Sequence, residues 1–285
     1  MILSSVLAVL TVACIARTRD EIQYWRNDLT VWTRAIAVTK DNFMAHYKLG
    51  VILWSSPRQD LAPNELEEAV RIKPDFAPTQ KFLAGVLFKL QRFSEAIDHY
   101  KRGLELAPDD AYHWYYCALS SYELGRLNDA LVECRKSFAI VSNPSVQNRI
   151  NQILELQAQA KQQNADLRAA LEKNPSQAVL INNLAWFLAT SLSEDERNGN
   201  EAVQLATRAC ELSNNYPVCV VTLAAAYAET GQYDEAIATA DLARRLAEKA
   251  GDEQALKRSQ ELQGYLLARL PCYEMSLYNK LPTNP

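Results

Sequence analysis

Ala62, Ala96 and Ala130 stand 34 residues apart, and so do Leu49, Leu83 and Cys117. Val70, Leu104 and Phe138 make a third column at the same period, and Ile72, Leu106 and Ile140 a fourth. Pro74 and Pro108 make a fifth, which the next copy breaks with Ser142. Independent columns in one phase do not arise by chance, so the chain is built from a repeated unit. The stretch from Ala77 to Asp110 shows the unit most clearly. Phe82, Leu83, Val86, Leu87 and Leu90 recur at helical spacing, and Ala96, Ile97, Tyr100, Leu104 and Leu106 do so again before Pro108 stops the run. Between the two runs, Gln91 to Ser94 has room only for a tight reversal, so the helices pack antiparallel. A hairpin this small cannot bury its apolar face alone, and its neighbours must stack on it as a solenoid.

These columns resemble the tetratricopeptide repeat (TPR) pattern over roughly residues 43–144. Alanine takes the tight contact of the second helix, leucine the inner face of the first, and proline the end. The resemblance implies an all-α fold, a right-handed TPR solenoid of helical hairpins, here preceded by an apolar helix. Expected repeats span 43–76, 77–110 and 111–144, with a half repeat before them in an array over 20–144. The second helix of the first repeat has to start late, because Pro57 and Pro63 cannot lie in a helix interior; Pro63 fits a first turn. Gly125 falls at an inter-helix turn, where a positive φ is often wanted. Over 145–176 the stripe of Val146, Ile150, Ile153, Leu154, Leu167 and Leu171 continues, but the middle is polar and has no turn glycine. It reads equally as an eroded repeat or as one long helix. Two further units follow over 177–250, with Ala202 and Ala236 again 34 apart. A capping helix is expected over 251–271 and a loosely ordered tail over 272–285.

The first sixteen residues are apolar or small and carry no charge. A bilayer-spanning helix needs about 20 such residues. We read residues 1–19 as the C-terminal part of a membrane helix that emerges at Arg17 to Asp20, its abrupt start suggesting that the full protein, or an ancestor, had more membrane helices upstream. The alternatives are a signal that is cleaved or lipidated at Cys14, and a buried helix. Trp25 suits either a membrane interface or the core, and Trp32 the core.

Net charge is −4, with acids and bases interspersed, so no basic stripe points to nucleic acid. The six cysteines show no metal-ligand spacing. Cys117 and Cys134 fall on inner faces of one repeat and read as small core hydrophobes, with a disulfide as the alternative. His46, His99 and His113 sit inside repeat helices, and no catalytic or phosphate-binding motif occurs. We expect no enzyme activity, no cofactor and no metal.

The TPR resemblance also implies a groove lined by positions two, five, nine and twelve of each first helix. Carried onto this chain, these are Met44, Tyr47, Val51 and Trp54; Lys81, Gly85 and Phe88, with Lys89 beside them; and Tyr112, Tyr115, Leu119 and Tyr122. Such a tyrosine-rich face suits an extended peptide, because rigid amphipathic rings lose little entropy on contact. The chaperone-type clamp for a C-terminal carboxylate is not expected, since Tyr47, Val51, Tyr112 and Tyr115 stand where it needs basic and amide groups.

The entry YWRNDLTVWTRAIAVTKDN and the closing NNLAWFLAT and TLAAAYAETGQYDEAIATA segments resemble the TPR tails of bacterial membrane proteins of the protein O-mannosyltransferase type. The reading that follows is a membrane-tethered scaffold that binds a protein or peptide, anchored through residues 1–16. The alternative is the substrate-engaging or regulatory tail of a multispanning glycosyltransferase. Arg17 and Arg19 favour cytoplasmic repeats, whereas the glycosyltransferase likeness puts them outside.

Overall fold

The computed structural model describes residues 2–268 and Cys272. Among them the regular structure is helical throughout. The chain divides into two compact units, residues 1–120 and 121–285.

The first unit opens with α1 (Ile2–Ile22) and α2 (Asp28–Val38). The expected exit at Arg17 to Asp20 is not a helix end, because α1 runs on through these charges to Ile22. Its uncharged part covers only residues 2–16, and among the described residues no helix is long and apolar enough to cross a membrane. The expected membrane-helix segment is therefore not supported. Instead, the Glu21 carboxylate at the end of α1 pairs with Arg34 of α2. Trp25 is 73% exposed and packs in no core, whereas Trp32 packs with Leu29 and Ile36 onto Leu49, Leu53 and Ala62.

Two hairpins follow: α3 (Phe43–Trp54) with α4 (Ala62–Ile72), then α5 (Ala77–Lys89) with α6 (Phe93–Leu106). The helix α7 (Ala111–Glu123) begins in this unit. Asn42 starts α3 by accepting a hydrogen bond from the Ala45 amide at 3.0 Å. The helix α4 starts late, with Pro63 in its first turn, after a 3-10 turn over 59–61. Pro74 and Pro108 lie just beyond the ends of α4 and α6, as the restriction on residues preceding proline demands. Ala62 and Ala96 are fully buried, and around them Leu66, Leu83, Leu87, Ile97, Tyr100 and Leu104 form the core.

In the second unit, α8 (Leu127–Ile140) packs on α9 (Pro144–Lys173), which is one unbroken helix of 30 residues. The polar QAQAKQQNAD run contains no glycine or proline to end it. The hairpins α10 (Ala178–Thr190) with α11 (Gly199–Leu212), and α12 (Pro217–Glu229) with α13 (Tyr233–Ala250), come next. The last described helix is α14 (Glu253–Leu267). It packs on α12 and α13, and Leu262 and Leu266 are fully buried there. The expected tail over 272–285, Cys272 apart, lies outside the described residues. The core is alanine-rich, with Ala202, Ala209, Ala224, Ala225, Ala236 and Ala243 fully buried, which lets helices approach closely. The polar loop between α10 and α11 is anchored by Arg197, which donates to Glu229 Oε1 at 2.9 Å and to the Ser191 carbonyl at 3.0 Å. None of the six cysteines, Cys117 and Cys134 included, forms a disulfide.

Candidate functional site

The repeat period places Val51, Gly85 and Leu119 at one position of α3, α5 and α7. Gly85 leaves out the side chain that the other two carry. A Cβ built there meets only the Tyr100 hydroxyl, at an ordinary 3.8 Å. Beside it the first unit has a cavity of about 190 Å³. Its apolar wall is Trp54, Phe82, Val86 and Phe88, and Tyr112, His113 and Tyr116 of α7 close the other side.

Tyr116 is the hub of the aromatic wall. Its ring stands edge-on to Phe88 at 5.2 Å and tilts against Tyr112 at 4.5 Å, with Tyr115 at 6.1 Å. Sequence reasoning named Tyr115 and passed over Tyr116. The signal was present, because Phe82 and Tyr116 are aromatics 34 residues apart and both line the cavity. Tyr112 is 62% exposed and forms the rim. Interaction with the Tyr116 hydroxyl, and partial burial, raise its phenol above the ordinary tyrosine value.

Of the other expected groove residues, Trp54, Phe88 and Lys89 reach the cavity. Lys89 is exposed at its edge. Tyr47 does not line it; its ring packs edge-on against Phe76 at 5.9 Å and Phe82 at 6.2 Å, and burial raises its phenol. Val51, Tyr115 and Leu119 are half-buried and lie outside the lining. Tyr122 falls in the second unit, where the Arg149 guanidinium stacks over it at 4.6 Å.

Lys81 requires a correction. The groove position suggests a free charge, but the residue is only 8% exposed. Its ammonium donates to the Ala107 carbonyl and to Asp110 Oδ2, each at 2.9 Å. Lys81 lines the cavity with its charge already engaged, so Lys89 is the exposed cation of the lining. Burial pushes the Asp110 carboxyl up, but bonds from Lys81 and from His113 outweigh it and hold the group below the ordinary range.

The three histidines are each tied within their own neighbourhood. His46 Nδ1 meets Glu65 at 2.8 Å, His99 Nδ1 meets Gln80 at 2.7 Å, and His113 Nδ1 meets Asp110 at 2.6 Å. Among the described residues no group of His, Cys, Asp and Glu is arranged to hold a metal ion.

Several solved structures are similar. The crystal structure of MamA is 13% identical, with 76% of this chain and 97% of that chain covered and a TM-score of 0.34. YrrB, described as a TPR protein with an unusual peptide-binding site, is 13% identical, covering 81% and 97%, with a TM-score of 0.36. The TPR2AB domain of yeast Sti1, described as a pHSP90 complex, is 14% identical, covering 79% and 98%, with a TM-score of 0.32. No curated protein matches the chain. Nothing in these matches bears on the likeness of the chain's ends to glycosyltransferase tails. The family model described as tetratricopeptide repeat matches residues 83–136, from within α5 to within α8.

Proposed function

We propose that the chain is a non-catalytic protein-interaction scaffold whose first unit holds an extended peptide by seating one of its side chains beside Gly85. The observation that carries this reading is the cavity itself. It is open, aromatic, and bordered by the exposed cation Lys89. At about 190 Å³ it is smaller than the ~300–1,000 Å³ of a typical small-molecule site and matches a single apolar or aromatic side chain. The rings of Phe88, Tyr112 and Tyr116 supply rigid contact area, and Lys89 favours a carboxylate next to the inserted side chain.

The test is to fill the cavity without disturbing the fold. Leucine already stands at the equivalent position of α7, so Gly85→Leu is compatible with the repeat. A phage-displayed library of random heptapeptides, panned on the full chain and on this variant, should yield a set of peptides that the variant no longer retains. Tyr116→Ala should lose the same set. Identical recovery from wild type and Gly85→Leu, with the variant as stable as wild type, rules the cavity out as the binding surface.

A further inference from the structure

The second unit contains a larger hollow, and it exists because a hairpin is missing. Where a repeat would turn back, α9 runs straight on, and a stripe of its residues faces α10 across open space. Leu156, Ala160 and Leu167 of α9 form one wall, and Trp186 and Phe187 of α10 the other. The volume is about 470 Å³, and a neighbouring hollow of about 410 Å³ extends it along Gln162 and Asp166 of α9. From Leu156 to Leu167 the helix advances about 16 Å at 1.5 Å per residue. That is the reach of about five residues of extended chain.

Two features say what would lie there. Gln159, Gln163 and Asn183 border the hollow, and each amide can both donate to and accept from a peptide backbone. Arg258 of α14 also borders it, its guanidinium stacked over the Trp186 ring at 4.8 Å. Arg258 is half-buried and forms no ion pair with a carboxylate among the described residues. Stacking fixes its plane and leaves its in-plane N–H fork for a carboxylate.

We propose that the trough between α9 and α10 is a second docking site, independent of the cavity at Gly85. Its occupant is an extended peptide segment that lays an apolar side chain on Trp186 and Leu167 and places an aspartate or glutamate on Arg258. Asp166, in the adjoining hollow, disfavours a second acidic group there.

The same heptapeptide library separates the two sites. Panning on the full chain should return a second set, retained by Gly85→Leu but lost by Arg258→Glu and by Trp186→Ala. Its members should carry one acidic residue close to an apolar one. Synthesised with that acid replaced by its amide, they should bind about tenfold more weakly. Asn183→Asp alters an exposed residue and adds only a charge to the trough, so it should cause a comparable loss even if Arg258→Glu misfolds. The proposal fails if no retained set depends on Arg258 or Asn183, or if that set is indifferent to the acid. It also fails if the peptide-free wild-type chain sediments as a dimer that a folded Asn183→Asp variant reduces to monomer, which would make the trough a contact between copies.

Discussion

The Lys81 ammonium lies 2.9 Å from Asp110 Oδ2 and so ties α5 to the turn that begins α7. Asp110 also accepts from the His113 amide at 3.2 Å, capping that helix. Its carboxyl pKa is depressed in the folded state. The stabilisation is therefore complete above the ordinary aspartate value of about 3.9 and drains away as pH falls through the folded value. Lys81→Met keeps the buried stem and removes the charge. It should cost about 1–3 kcal/mol at neutral pH. Urea melts at successively lower pH should show the gap between variant and wild type narrowing below about pH 4. A gap that stays constant would mean that Lys81 acts through its bond to the Ala107 carbonyl and not through Asp110.

Gly50 and Gly85 lie on neighbouring first helices and should respond oppositely to one methyl group. A Cβ at Gly50 would sit 2.6 Å from Cγ of the fully buried Leu66. Gly50→Ala should destabilise by about 1–3 kcal/mol through overpacking. At Gly85 the nearest atom is 3.8 Å away. There Gly85→Ala should stabilise by about 0.5–1 kcal/mol from helix propensity alone. Thermal denaturation of the two variants checks both signs.

The reversal between α5 and α6 passes through Gln91 with φ of 60°. The equivalent turns use Gly125 at 67° and Gly231 at 79°. The left-handed conformation costs a side-chain-bearing residue about 1–2 kcal/mol, and glycine's extra freedom in the unfolded chain returns about 0.4–1 of that. Gln91→Gly should therefore raise stability by about 0.5–1 kcal/mol. An unchanged or lowered melting temperature would show that the Gln91 side chain is worth more than its strain.

Thiol reactivity should divide the cysteines sharply. Cys14 is exposed, whereas the other five are buried. Burial pushes the thiol of Cys134 up to about 11 and those of Cys210 and Cys272 to about 12, far from the reactive thiolate at neutral pH. A disulfide reagent at pH 8 should modify one thiol rapidly in the native chain and all six after unfolding.

The hairpins were legible because a helix that buries one face repeats its apolar residues at a fixed interval, and a 34-residue period restates that interval several times. Ala62, Ala96 and Ala130 could be placed against helix contacts from spacing alone. Residues 145–175 could not be resolved this way, since Val146, Ile150 and Ile153 make the same stripe in one helix as in two. The role of Lys81 was hidden for a different reason. Spacing gives the direction of a side chain but not the distant Asp110 that captures its end. The N-terminal segment misled through its apolar start, because the charges at Arg17, Arg19, Asp20 and Glu21 do not end the helix but fall inside it. In the candidate groove, register fixed which helices contribute, while the choice between Tyr115 and Tyr116 depended on how the rings interlock across α5 and α7.

The empty position at residue 85 separates recognition from architecture. Val51 and Leu119 show that the stack accommodates branched side chains at the corresponding places. Alanine, serine or valine at position 85 would give graded depths without touching the alanine seams that hold the hairpins together. On the proposed reading, single substitutions at this one residue would retune ligand preference in the first unit, while the framework that presents it stays as it is.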